Sequence, residues 1–312
     1  MQPKTIKSVL KKKIDDWIKS VESESLRELI ERDTIVTGGA ITSLLQGEKP
    51  NDFDVYFKTF DTAKQVAEYY VGKFKQNLPS RFKSTGQTVD IKVLTDDSRI
   101  KIVVKSQGIA SESGTSEYQY FEQPGVDPSE PQEFVEAVIQ DKKVADDKTD
   151  KTKPKYCPIF LTSNAITLSE GVQIVIRFHG AVDQIHENFD FVHCTCSWDR
   201  QTGELLLPTD ALVSIINKRL KYTRSKYPLC SLIRTRKFLK LGWHIDAGQY
   251  VKMAWDLNKL NLSDINVLED QMVGVDSAYF QEVIGLLNEK TEKGTKPVED
   301  SYLIEIIDRV FG

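Results

Sequence analysis

The chain has 312 residues, 40% of them apolar and 28% charged, which fits an ordinary globular protein of about two domains with a real hydrophobic core. Forty-two Lys and Arg face 46 Asp and Glu, a net charge of -4, so the protein does not coat nucleic acid by bulk charge, although a local basic patch remains open. No apolar run approaches the roughly 18 residues of a membrane span, the N-terminal stretch lacks the apolar core of a secretory signal, and four Cys do not make a disulfide framework in a chain this long. A soluble cytoplasmic protein with no membrane partner is expected.

In chain order, Ile6, Val9, Leu10, Ile14 and Trp17 recur at helical spacing, and Leu26, Leu29 and Ile30 predict a second helix. Thr34–Val36 is a short β-branched run that Gly38-Gly39 interrupts. Ala40–Leu45 resumes as helix, closed by Gly47 and Pro50. Asp52–Phe57 alternates like a half-buried strand. A helix follows on Ala63, Val66, Ala67, Tyr70, Val71 and Phe74, and then two strands, Val89–Leu94 and Ile100–Val104. Residues 106–156 read as a solvated insertion, small and polar at first and then charged, around a short helix at Phe134–Ile139. Strands return at Ile159–Thr162, Ala165–Leu168 and Val172–Phe178, the last two joined by a Ser-Glu-Gly hairpin turn, then at Phe189–Cys196 and Leu205–Leu207. After Pro208 the pattern is helical, from Ala211, Leu212, Ile215 and Ile216 to a last helix on Leu303, Ile304, Ile307 and Val310.

The chemistry is concentrated in one short segment. Residues two apart on a strand share a face, so Asp52 and Asp54 project together while Phe53 and Val55 point to the core. Two adjacent carboxylates repel unless a cation joins them, and close oxygen ligands suit Mg²⁺ with water and substrate phosphates. The Gly38-Gly39 turn before a helix permits close backbone approach and offers free N–H groups to a phosphate, with the Ser43 hydroxyl nearby. Singly, each feature is an ordinary turn or a solvated strand face. In strand, Gly-Gly, helix, strand order they point to a nucleoside triphosphate site.

This segment resembles the head of the DNA polymerase β-like nucleotidyltransferase superfamily, with the closest look to CCA-adding enzymes and bacterial poly(A) polymerases. The resemblance implies that Gly38, Gly39 and Ser43 contact the triphosphate. It implies that Asp52 and Asp54 are catalytic and hold two Mg²⁺ ions, with Mn²⁺ as a possible substitute, for in-line attack on the α-phosphorus. The family often carries a third carboxylate. Asp190, between Phe189 and Phe191, is preferred over Asp90 in TVDIKV, because an acid set between aromatics is costly without a partner. NFDFVHC and YPLCSLIRTRKFLKLGWHI resemble further segments of CCA-adding enzymes. Asn188 departs from the Arg of the first, and Lys226, Tyr227 and Cys230 stand where the second has its base-selecting Glu-Asp pair and Arg. SNAITL and FDFVHC resemble stretches of bacteriophage proteins, which would place this chain in a host cytoplasm.

Lys218, Arg219, Lys221, Arg224, Lys226, Arg234, Arg236, Lys237 and Lys240 form the densest basic stretch, with Tyr222, Tyr227 and Trp243 among or beside them. Phosphate contacts plus base stacking would suit a single-stranded RNA end, and Arg234, Arg236 and Lys237 are the candidate phosphate binders. A solvated helix face is the plain alternative. Cys194 and Cys196 lack a second Cys pair at zinc spacing, so buried packing is the expected role of the cysteines.

The expected fold is α+β: N-terminal helices over 1–33, a nucleotidyltransferase-type mixed sheet with helices over 34–207, and an all-α region over 208–312. The expected activity is Mg²⁺-dependent transfer of a nucleoside monophosphate from a nucleoside triphosphate to an acceptor hydroxyl, foremost a tRNA-like RNA 3′ end. Nucleotidylation of a protein or small molecule, and a non-catalytic nucleic-acid binder of the same fold, are the alternatives. These motifs do not set the base, the acceptor or the oligomeric state.

Overall fold

A computed structural model describes residues 1–76, 89–96, 99–106, 155–162, 164–262, 264, 267 and 271. The short helix expected at Phe134–Ile139 and the last helix expected at Leu303–Val310 lie outside these residues. Two compact units divide the described chain, one running to Thr223 and the other beginning at Arg224.

The first unit is built on a seven-stranded mixed sheet. In chain order its elements begin with α1 (Pro3–Ser20), α2 (Glu24–Asp33), β1 (Thr34–Thr37), α3 (Gly39–Gln46), β2 (Phe53–Phe57) and α4 (Phe60–Gln76). They continue with β3 (Val89–Asp96), β4 (Arg99–Ser106), β5 (Pro158–Leu161), β6 (Ala165–Leu168), β7 (Val172–His179), α5 (Val182–His186), β8 (Ser197–Asp199), β9 (Leu205–Leu206) and α6 (Thr209–Ile216). The sheet order is β5-β6-β7-β2-β1-β8-β9, and β3 and β4 pair as a separate two-stranded hairpin. β2 runs parallel to β7, and the other neighbours in the sheet are antiparallel.

The apolar spacing read in α1 is its packing surface: Ile6, Leu10, Ile14 and Trp17 are fully buried. α4 buries the stripe from Ala63 to Phe74, and Trp17 Nε1 donates to the Tyr70 hydroxyl at 2.7 Å, joining the two helices. That bond satisfies the polar end of a large buried aromatic, which otherwise carries a desolvation cost. The period of two in β1 and β2 sorts the sheet faces. Ile35 and Tyr56 are register partners and form one apolar cluster with Ile185 and Phe189 at the α5 side.

One expectation changes. Phe189–Cys196 is not a strand: Val192–Cys194 is one turn of 3-10 helix, and only Ser197–Asp199 joins the ladder. The alternation there is satisfied by burial of Phe189 and Phe191, while the carbonyls of His193, Cys194 and Cys196 accept from Thr42, Gly38 and Thr37 instead of a strand partner. The first unit runs to Thr223, and α6 packs on that 3-10 turn within it. The N-terminal helices belong to the same unit as the sheet.

In the second unit α7 (Pro228–Lys240) and α8 (Ala247–Leu257) pack on each other. Cys230, Ser231, Trp243 and Met253 are buried there. Gln271 links to the start of α7, its Nε2 donating to the Lys226 carbonyl at 2.9 Å.

A buried carboxylate ties α2 to α4. Asp33 accepts from Arg32 Nε and Nη2, each at 2.8 Å, from Thr59 Oγ1 at 2.8 Å and from Thr62 Oγ1 at 2.6 Å. The Arg32 hydrogen bonds, aided by the two threonines against the cost of burial, hold its pKa down to about 2 from 3.8. A carboxylate whose folded pKa is depressed stabilises the fold above its unfolded pKa and loses that contribution as pH falls toward the folded value. Asp33→Asn should lower the free energy of unfolding by about 1–3 kcal/mol at neutral pH. In urea titrations the gap between wild type and variant should close between about pH 4 and pH 2.

Candidate functional site

The site is assembled where β1 hands over to α3 beside β2. Gly38 has φ +101° and ψ -152°, a conformation that side chains oppose, and it is the cap before α3. A Cβ at Gly38 would stand 2.8 Å from Asp54 Oδ2. The absence of a side chain is therefore what lets the carboxylate approach this backbone. A Cβ at Gly39 meets nothing within 4 Å, so the two glycines differ: Gly38 is required by contact and conformation, and Gly39 leaves open space over the first turn of α3.

Val36 pairs with Val55, and continuing this register sets Thr37 opposite Asp54. Asp54 is half-buried on β2 between buried Phe53 and Val55, as its alternation predicts. Asp52 lies exposed one step before the strand, so the pair occupies the same end of β2. Ser43 is half-buried on α3. The turn is anchored from below by three hydrogen bonds. Gly38 N–H donates to the Cys194 carbonyl at 3.1 Å, Thr37 Oγ1 to the Cys196 carbonyl at 2.9 Å, and Thr42 Oγ1 to the His193 carbonyl at 2.7 Å.

On the opposite edge of β2, Phe53 N–H donates to the Gly171 carbonyl at 2.9 Å in the β6–β7 turn. Lys13 of α1 donates to the Glu170 carbonyl in that same turn and lies 5.5 Å from the ring centroids of both Phe53 and Tyr156. Burial pushes its pKa down, opposed by Glu170 and Asp16.

Asp190 is buried in the bend before the 3-10 turn, where its backbone carbonyl accepts from Thr223 N–H at 2.9 Å. Among the described residues no three His, Cys, Asp and Glu side chains gather as a metal site. The competing Asp90 falls on the separate β3–β4 hairpin, in register with Lys105.

The basic stretch is divided. Lys218, Arg219 and Lys221 belong to the first unit, and Arg224 and the bases after it to the second. Lys221 Nζ pairs with Asp210 at 2.5 Å. On α7, Arg236 and Lys237 are exposed, whereas Arg234 is half-buried with Nη2 3.1 Å from Cys230 Sγ. The expected stacking aromatics are core residues: Tyr222, Tyr227 and Trp243 are 4%, 7% and 4% exposed. They had no helical or alternating context that could have shown their burial in the sequence. Cys196 and Cys230 are buried as expected, whereas Cys157 and Cys194 are half-buried, and burial pushes the Cys196 thiol up to about 12, away from the thiolate a metal needs. Burial also holds His193 neutral, down to about 3, with its ring stacked on Phe191 at 6.0 Å.

Thr37, Thr42, His186 and Lys13 are contributors that sequence reasoning did not single out. The two threonines flank the Gly-Gly turn, which was the one signal available for them.

Fold and site together define an α+β protein with a glycine turn set against a strand aspartate. Residues 8–218 match the Gabija anti-defense 2 family, and the chain belongs to that family. "Gabija anti-defense 2" of Bacillus phage SPbetaL7 is 25% identical over 138 residues, which are 44% of this chain and 32% of that protein. The match thus spans about a third of the length of that relative. Solved structures to which the chain is similar include a Thermotoga maritima CCA-adding enzyme complexed with tRNA, at TM-score 0.38 and 11% identity over 95% of this chain and 68% of that one. A Bacillus stearothermophilus CCA-adding enzyme in complex with CTP gives TM-score 0.37 and 11% identity over 85% and 51% of the respective chains.

Gly38→Ala should destabilise the protein by about 1–3 kcal/mol, since it adds both a positive-φ penalty and a collision with Asp54. Gly39→Ala should fall within about 0.5 kcal/mol of wild type, because it meets open space. Thermal unfolding of the two variants side by side checks the contrast.

Proposed function

We propose that this protein is a nucleotidyltransferase that moves a nucleoside monophosphate from a nucleoside triphosphate to an acceptor hydroxyl. The observation that carries the reading is the approach of Asp54 to the Gly38 backbone, which sets a carboxylate beside the N-terminus of α3. Free N–H groups at a helix start favour phosphate oxygens, and a neighbouring carboxylate alone would repel them. A divalent cation resolves that conflict. The donors are all oxygen, one carboxylate is exposed and one half-buried, and Gly38 puts no side chain of its own between Asp54 and the turn. These features fit Mg²⁺.

Asp52 and Asp54 would hold the metal, which supplies charge neutralisation at the phosphates and activation of the attacking hydroxyl. Gly38, Gly39 and Ser43 would seat the triphosphate at the start of α3. The acceptor hydroxyl gives up its proton to water, its oxygen forms a bond to the α-phosphorus, the bond from that phosphorus to the oxygen bridging to the β-phosphate breaks, and pyrophosphate leaves.

For the acceptor, exposed Arg236 and Lys237 favour an RNA 3′ end. The family's name favours a second reading, in which the acceptor is a component of the defence that the family is named for countering. Incubation with labelled nucleoside triphosphates, Mg²⁺, bulk RNA and Gabija components separates them: label lost to ribonuclease marks RNA, and label lost to protease marks protein.

Asp52→Asn and Asp54→Asn should each lower transfer by at least about 100-fold while leaving the fold intact. Transfer by wild type no greater than by the paired variants would count against the whole reading.

A further inference from the structure

The turn that would seat the triphosphate is held by a side chain that no motif singled out. Thr37 ends β1 directly before Gly38. Its Oγ1 lies 2.8 Å from His186 Nε2, 2.9 Å from the Cys196 carbonyl oxygen and 3.3 Å from the Cys194 carbonyl oxygen. A hydroxyl carries one proton and two lone pairs, and a carbonyl oxygen only accepts. The proton therefore belongs to a carbonyl, Cys196 being the nearer, and Thr37 Oγ1 accepts from His186. For that, His186 must carry its proton on Nε2.

The surroundings reinforce the assignment. His186 ends α5 and its ring lies against Phe189 at 4.9 Å. Burial, opposed by Asp183, pushes its pKa down to about 4, so the ring is neutral at physiological pH. Gly38 N–H donates to the same Cys194 carbonyl that Thr37 Oγ1 reaches. The two residues leading into α3 thus share one ledge of carbonyls, and His186 decides how the Thr37 hydroxyl meets it.

We propose that His186 and Thr37 are positioning residues for the triphosphate turn, with His186 present as the Nε2–H tautomer donating to the Thr37 hydroxyl. The ligand in this statement rests on the nucleotidyltransferase reading, and the hydrogen bond does not. Removing the histidine frees the hydroxyl to rotate between carbonyls and loosens the entry to Gly38, whose left-handed backbone depends on its neighbours. A turn displaced by a fraction of an ångström loses much of its grip on a phosphate.

The test uses the full chain. Nitrogen-15 NMR of the histidines at pH 7 should give His186 a protonated Nε2 and an unprotonated Nδ1; the reverse tautomer overturns the proposal whatever binds. Calorimetry with each of the four common nucleoside triphosphates and Mg²⁺ follows. If wild type binds none of them, the nucleotidyltransferase reading falls and the triphosphate role falls with it, while NMR still decides the hydrogen bond. If wild type binds one, His186→Leu and Thr37→Val should weaken that binding about 10-fold. His186→Gln, whose side-chain amide nitrogen reaches the place of Nε2, should restore affinity to within about 3-fold of wild type. Wild-type affinity in the leucine and valine variants, or no rescue by glutamine in a folded protein, overturns the proposal. If the leucine variant does not fold, Thr37→Val and His186→Gln carry the comparison.

Discussion

The first unit is organised around one constraint: a carboxylate oxygen and a peptide backbone occupy the space that a single Cβ would fill. Asp54 Oδ2 stands 2.8 Å from that position at Gly38. The approach forces a residue without a side chain at the end of β1, and the φ of +101° there forces the same choice independently. Such a backbone persists only where its surroundings over-determine it. Here they do: Thr37, Gly38 and Thr42 all bond to carbonyls of one short turn, residues 193–196. That turn in turn supports α6, so the handover from β1 to α3 reaches into the packing of the rest of the unit.

What the sequence shows clearly follows the strength of its periodicity. The helices α1 and α4 and the strands β2, β6 and β7 each carry a long stripe or a clean alternation, and each appears where that pattern places it. The Gly-Gly turn and the orientation of Asp54 between buried Phe53 and Val55 were legible for the same reason, since the alternation assigns faces. Residues 189–196 misled because alternation of large apolar side chains reports burial, not ladder hydrogen bonding. Phe189 and Phe191 are buried as a strand would bury them, yet the backbone there makes only an isolated bridge to Tyr222, and the carbonyls of His193, Cys194 and Cys196 go to side chains and to Gly38. His186 left no trace, because its contribution is a tertiary contact with Thr37 at a sequence separation of 149. Lys13 was hidden for a related reason: on the helix pattern it reads as one of many lysines on a solvated face.

The acids of the first unit fall into two kinds. Several are matched by a cation within the fold: Asp33 by Arg32, Asp199 by Lys58 at 2.7 Å and Asp15 by Arg200 at 2.7 Å. Asp33 shows how far such matching can go, with two guanidinium bonds and two hydroxyl bonds on one buried carboxylate. These acids are matched by cations of the fold itself. Asp52 and Asp54 instead sit together at the end of β2 beside the Gly38 turn, Asp52 exposed and Asp54 half-buried. The slight negative net charge therefore averages over acids matched by cations inside the fold and a pair set beside the glycine turn.

The basic stretch gives the same lesson with the opposite sign. Read along the chain, nine lysines and arginines between Lys218 and Lys240 look like one surface. The fold divides them between two units, matches Lys221 to Asp210 and turns Arg234 toward Cys230. The aromatics that would have made the surface a stacking platform are interior, each with its own packing: Tyr222 against Phe191 at 6.2 Å and Trp243 against Phe238 at 6.0 Å. Density of charge in sequence is thus a poor guide to density of charge in space. An acceptor site on α7 has to be argued from Arg236 and Lys237 themselves, as exposed cations one residue apart on a helix. Two exposed cations give charge without shape, so selection of an acceptor must draw on groups beyond this helix.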